Sequence, residues 1–117
     1  MTIEMLGQST PPQPKITAVL TIISPKSGVT PEQVVKIMPA EIRATVPLYL
    51  EGKIQQWYTR GDGKGVIFIL NCKDEAEARA LIESLPLSKE NLMDEQFIPV
   101  GPLLPLRILL RDSPTNK

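Results

Sequence analysis

The chain has 117 residues, 42% of them hydrophobic and 22% charged, which suits one globular domain with a real core and leaves no room for a second. Thirteen Lys and Arg balance thirteen Asp and Glu, so there is no basic field to hold a phosphate backbone, and nucleic acid is not an expected partner. Histidine is absent and Cys72 is the single cysteine, which excludes an internal disulfide and removes the usual metal ligands; no metal and no cofactor are expected.

Residues 1–15 include Ser9, Thr10, Pro11, Pro12 and Pro14 and have no usable hydrophobic period, so they are expected to form a flexible tail or an arm laid on a partner. They also lack the apolar region of a signal peptide. No apolar run approaches the length of a membrane span, and a cytoplasmic protein without membrane association is the expectation. Ile16 to Ser24 is β-branched and apolar on both alternating faces, as a central strand requires. Thr30-Pro31-Glu32-Gln33 then supplies an N-cap threonine, a proline at the first helical position and a glutamine that completes a capping box. Val34, Val35, Met38, Ile42, Val46, Tyr49 and Leu50 follow as one apolar stripe down to a stop at Gly52. Pro39 and Pro47 fall inside it. Each removes a donor and crowds the carbonyl four residues earlier, which predicts a kinked or broken helix.

Gly52 to Cys72 reads as a β-hairpin, with Gly61-Asp62-Gly63-Lys64-Gly65 as the reversal. Ile54 to Arg60 mixes polar and apolar residues like an edge strand, whereas Val66 to Leu70 is uninterrupted apolar sequence like a buried central one. Cys72, just past it, is expected to be a reduced and partly buried thiol. Asp74 begins a second helix whose stripe is Ala78, Leu81, Ile82 and Leu85, ended by Pro86. Ser88 to Met93 reads as a connector, and Glu95 to Val100 as an edge strand limited by Pro99 and Pro102. Leu103 to Leu110, LLPLRILL, is very apolar for a chain end.

Strand, helix, strand, strand, helix, strand, built from two right-handed crossovers, gives a four-stranded antiparallel sheet in the order four, one, three, two. This is an α+β, ferredoxin-like βαββαβ domain over residues 16–111, with residues 112–117 a flexible C-terminus. The two runs apolar on both faces fall in the middle of that sheet. Two helices cover only one of its faces, so a second copy of the chain is the simplest cover for the other. A homodimer is therefore expected, with the LLPLRILL tail laid across the partner.

Pro39-Ala40-Glu41, Glu51-Gly52, the pair Trp57-Tyr58, the glycine turn, Glu75-Ala76 and Leu85-Pro86-Leu87 together resemble the muconolactone isomerase group of dimeric α+β barrel proteins, over roughly Val29 to Pro105. The resemblance implies two sheets packed face to face into a barrel and a small molecule held between helix and sheet. It also implies an isomerase that moves a proton next to a carbonyl or lactone. Glu41 falls at the group's alanine-glutamate position, and Trp57 and Tyr58 near its strand aromatics. The chain differs from the lactone isomerases in lacking histidine and in carrying Pro39 and Pro47.

Glu41 is accordingly the candidate catalytic acid or base, since a carboxylate in a partly apolar pocket can be raised toward the working pH. Tyr49, Trp57, Tyr58, Arg60 and Lys53 are candidate substrate-binding residues, the two cations as partners for an anionic group. The expected ligand is small and hydrophobic or carboxylated. The competing reading is a noncatalytic dimer of the same fold that binds a ligand or serves as a structural partner, with Glu41 a solvated helix residue. A single-stranded RNA binder fails on chemistry. Lys64 to Phe68 superficially resembles the start of such a motif, but Val66 and Asn71 stand where stacking aromatics are needed. The glycine cluster opens no helix and so makes no phosphate loop.

Overall fold

The computed structural model describes residues 15–104. The expected N-terminal tail lies outside the described residues but for Lys15, and so does all of the C-terminal apolar segment beyond Leu104. The elements are β1 (Ala18–Pro25), α1 (Pro31–Leu50), β2 (Ile54–Thr59), β3 (Val66–Leu70), α2 (Glu75–Glu83), α3 (Pro86–Lys89) and β4 (Met93–Val100). They form an α+β domain with one antiparallel sheet in the order β2-β3-β1-β4 and three helices, an arrangement compatible with the ferredoxin-like fold.

The register sorts the strand residues between two faces, because directly opposed residues in an antiparallel pair share a face. Thr21 stands opposite both Phe68 and Phe97, Val19 opposite Leu70, and Ile23 opposite Val66 and Glu95. This face carries the core, closed by Ala78, Ile82 and Leu85 from α2 and the turn after it. On the other face, Leu20, Ile22, Ile67 and Ile69 are half-buried, and Tyr58 and Ile98 are exposed beside them. Among the described residues no helix packs there. A bulge between Ile54 and Gln56 lets β2 keep Ile54 buried at one end while Trp57, opposite Phe68, reaches the helix face further along.

Thr21 is fully buried, and its hydroxyl has no hydrogen-bond partner among the described residues. A buried hydroxyl without a partner keeps its desolvation cost. Thr21→Val, which fills nearly the same volume without that group, is therefore expected to raise stability by about 1 kcal/mol. Denaturant titration of the variant checks this, with an unchanged slope and a higher midpoint as the expected outcome.

Helix α1 begins as its sequence requires. The Gln33 amide donates to Thr30 Oγ1 at 3.3 Å and the Thr30 amide to Gln33 Oε1 at 2.8 Å. It ends with Glu51 as C-cap and Gly52 at φ +82°, a left-handed position that favours glycine. The two internal prolines do not break it, and it runs as a single 20-residue helix. Both Pro39 and Pro47 are exposed, so water can serve the carbonyls that lose their donors.

The apolar stripe of α1 is only partly covered in the structure. Val35 and Leu50 are 66% and 77% exposed, Ile42, Val46 and Tyr49 are exposed as well, and Thr45 is the buried residue of the helix. Periodicity marks the apolar side of the helix, but α1 stands off the sheet over part of its length, and a cavity occupies the gap. The connector expected over Ser88 to Met93 overlaps α3, one helical turn over Pro86–Lys89 in which Leu87 is buried. Strand β4 starts at Met93, two residues earlier than its sequence suggested, and lies at an edge as its prolines require.

Candidate functional site

The cavity between α1, the sheet and α3 has a volume of about 480 Å³. Helix α1 contributes Met38, Glu41, Ile42 and Thr45 at its wall, the strands contribute Ile23, Trp57, Phe68 and Glu95, and α3 contributes Leu87 and Ser88. The surface is overwhelmingly apolar, with a few polar groups converging from three elements, the usual composition of a small-molecule site.

Glu41 reaches this cavity because it sits one turn before Thr45 on the face of α1 turned toward α3. Its Oε1 accepts the Leu87 amide at 2.9 Å. That amide lies in the first turn of α3, whose own N-cap, Leu85, has no side-chain oxygen to offer, so Glu41 caps α3 from a residue 46 positions away. The Thr45 hydroxyl donates to the Glu41 main-chain carbonyl at 2.5 Å. Burial pushes the Glu41 carboxyl above its ordinary pKa; the Leu87 amide and Thr45 hydroxyl pull against this, and the Glu95 charge adds to the rise. The single Thr45 proton is committed to the main-chain carbonyl, so its help to the carboxylate is small.

Glu95 is the residue that reading the sequence missed. It lies on the helix face of β4, in step with Met93 and Phe97, and its Oε2 accepts the Ser88 hydroxyl. The signal was present: alternation along Met93, Glu95 and Phe97 puts a carboxylate between two apolar residues on the inward side. Ser88, assigned to a connector, was missed with it.

The candidates named from sequence divide. Glu41 and Trp57 line the same cavity. Tyr49 stacks on Trp57 with ring centroids 4.2 Å apart and planes 2° from parallel, so it backs the indole without lining the cavity. Tyr58 points to the opposite sheet face, where its hydroxyl donates to Gln56 Oε1 at 3.0 Å. Arg60 pairs with Asp62 at 2.6 Å inside the hairpin turn, and Lys53 with Glu51 at 3.5 Å, both outside the cavity lining. Cys72 is buried at the end of β3, and burial, with Glu77 and Asp74 nearby, pushes its thiol up, away from the thiolate that chemistry would need. Among the described residues no group of three or more His, Cys, Asp or Glu is placed to hold a metal ion. None of their helices is long and apolar enough to cross a membrane.

The fold and the cavity together define an α+β protein with a small apolar chamber and a carboxylate pair at its wall. No protein-family model matches the chain, and no curated protein matches it.

Proposed function

We propose that this chain binds a small, mostly apolar molecule in the cavity beneath α1 and that Glu41 exchanges a proton with it next to a carbonyl or lactone, as the sequence resemblance to the muconolactone isomerase group implies. The observation that carries this reading is Glu41 itself: a carboxyl with a raised pKa, on the wall of an apolar chamber that also holds an aromatic. A carboxylate ordinarily too weak a base near neutral pH becomes a better one when burial destabilises its charge. Either half of a 1,3-proton shift needs such a group within hydrogen-bond reach of the carbon that loses or gains the proton.

The competing reading is a noncatalytic ligand-binding or structural protein. The Leu87 contact favours it, because capping α3 is reason enough for a glutamate at position 41. A panel of ketones, enol lactones and saturated lactones decides between them. Turnover of any member supports the catalytic reading, and thermal stabilisation without turnover supports the binder.

We further propose that the protein is a homodimer joined through the uncovered sheet face, completing a dimeric α+β barrel. Leu20, Ile22, Ile67 and Ile69, flanked by Tyr58 and Ile98, give that face an apolar surface of the kind monomers seldom leave open. Hiding about 800 Å² of such area contributes on the order of 20 kcal/mol gross at roughly 25 cal/mol per Å², above the usual association costs of about 4 to 15 kcal/mol. Light scattering on the full chain at micromolar concentration is expected to give twice the chain mass. A well-behaved monomer would remove the barrel.

A further inference from the structure

The cavity has an electrostatic character that the apolar count hides. Among the described residues its lining includes two acidic side chains, Glu41 and Glu95, and no lysine or arginine. Both carboxylates are held by uncharged donors, the Leu87 amide and the Ser88 hydroxyl, which orient them without neutralising them. The cations that could have served an anionic ligand, Lys53 and Arg60, are paired elsewhere with Glu51 and Asp62.

We propose that the ligand of this cavity is an apolar molecule bearing one ammonium group, seated with its charge between Glu41 and Glu95 and its apolar body against Met38, Trp57 and Phe68. This rests on the cavity being a ligand site, and it names the charge class that the site selects. An anionic ligand would bring a third negative charge into a chamber of low dielectric, where like charges repel far more strongly than in water. An uncharged ketone or lactone would strip water from two carboxylates and offer them no opposite charge, so among the carbonyl compounds proposed above the favoured member is one that also carries an ammonium. A cation gains attraction from both, and the Trp57 indole, held in place by the stacked Tyr49, offers a flat apolar wall to the body of the ligand. The repulsion that Glu95 exerts on Glu41 is relieved by the same event. A carboxylated substrate, one of the two kinds expected from sequence, is disfavoured on these grounds.

The test is calorimetric titration of the full chain with three probes of matched shape: 2-naphthylethylammonium, 2-naphthylethanol and 3-naphthylpropanoate. The ammonium is expected to bind at least about tenfold tighter than the alcohol, and the carboxylate at least about tenfold weaker than the alcohol. Glu41→Gln and Glu95→Gln should each narrow the gap between ammonium and alcohol, and the double variant should close it. Equal affinities, or a preference for the carboxylate, in the unaltered protein overturn the charge assignment while leaving the cavity a ligand site. A gap that persists in a folded double variant also overturns it, because the selectivity would then lie elsewhere. Failure of all three probes to bind removes the ligand site and the inference with it.

Discussion

Glu41→Gln is expected to lower turnover at least about a hundredfold on any substrate the protein accepts, the low end of what a positioned acid or base contributes. Glutamine keeps an oxygen for the Leu87 amide, so the cap on α3 survives while the titratable proton is lost. Stability near neutral pH should therefore change by less than about 1 kcal/mol. Its dependence on pH gives a second readout. Folding raises the Glu41 pKa, so the native state holds this proton more tightly than the unfolded chain does. The resulting contribution favours the fold fully below the unfolded pKa and is lost as pH rises through the folded one. Relative to the parent, the glutamine variant should thus gain stability across that window and stay level above it. Glu41→Ala should instead cost about 1 kcal/mol at neutral pH, as loss of a helix cap usually does. Parent-level turnover in the glutamine variant would end the catalytic role and leave the cap as the explanation of this residue.

A large loss of stability is expected from Gly65→Ala. Gly65 adopts φ +141°, and a Cβ placed on it would lie 2.0 Å from the Ile23 carbonyl oxygen. That neighbour is backbone of a central strand and cannot rotate away. The cost is expected to reach at least about 3 kcal/mol, combining left-handed strain with displacement of β1 from the hairpin. In a domain of this size it should lower the melting temperature by more than about 12 °C. Gly28→Ala is the control. Gly28 has φ +87° with open space around it, so only the conformational term applies, about 1 to 2 kcal/mol. A Gly65 variant no worse than the Gly28 one would show that β1 and the hairpin do not pack this closely.

Part of the candidate site was legible in the chain because it rests on local chemistry. Glu41 and Trp57 were picked out by resemblance and by strand alternation, and both line the cavity. Glu95 is hidden because Pro99 and Pro102 mark the segment only as an edge strand, and which face its alternate residues take is set by the register against β1. Arg60 and Lys53 looked available as free charges, yet each has an acidic neighbour two residues away, Asp62 and Glu51, that takes it up. Tyr58 was one step out of phase with Trp57, so one pleat sends it to the other face.

The elements other than α3, and their order, follow from the sequence alone, because their signals act over a few residues: the Thr30–Gln33 capping box, the Asp74 cap, the glycine turn and the doubly apolar runs of β1 and β3. The strand order follows too, since two right-handed crossovers joined by a hairpin leave one compact solution, with the doubly apolar strands inside. What only the tertiary structure decided is the distance between α1 and the sheet. Periodicity marks which side of a helix is apolar, but it carries no information on whether that side meets a neighbour or empty space. Here α3, a single turn opened by Pro86, receives Glu41 at the Leu87 amide and borders the cavity whose other walls are α1 and the sheet, so Val34, Met38, Ile42 and Val46 of the stripe line a chamber, while Val35, Tyr49 and Leu50 lie outside it.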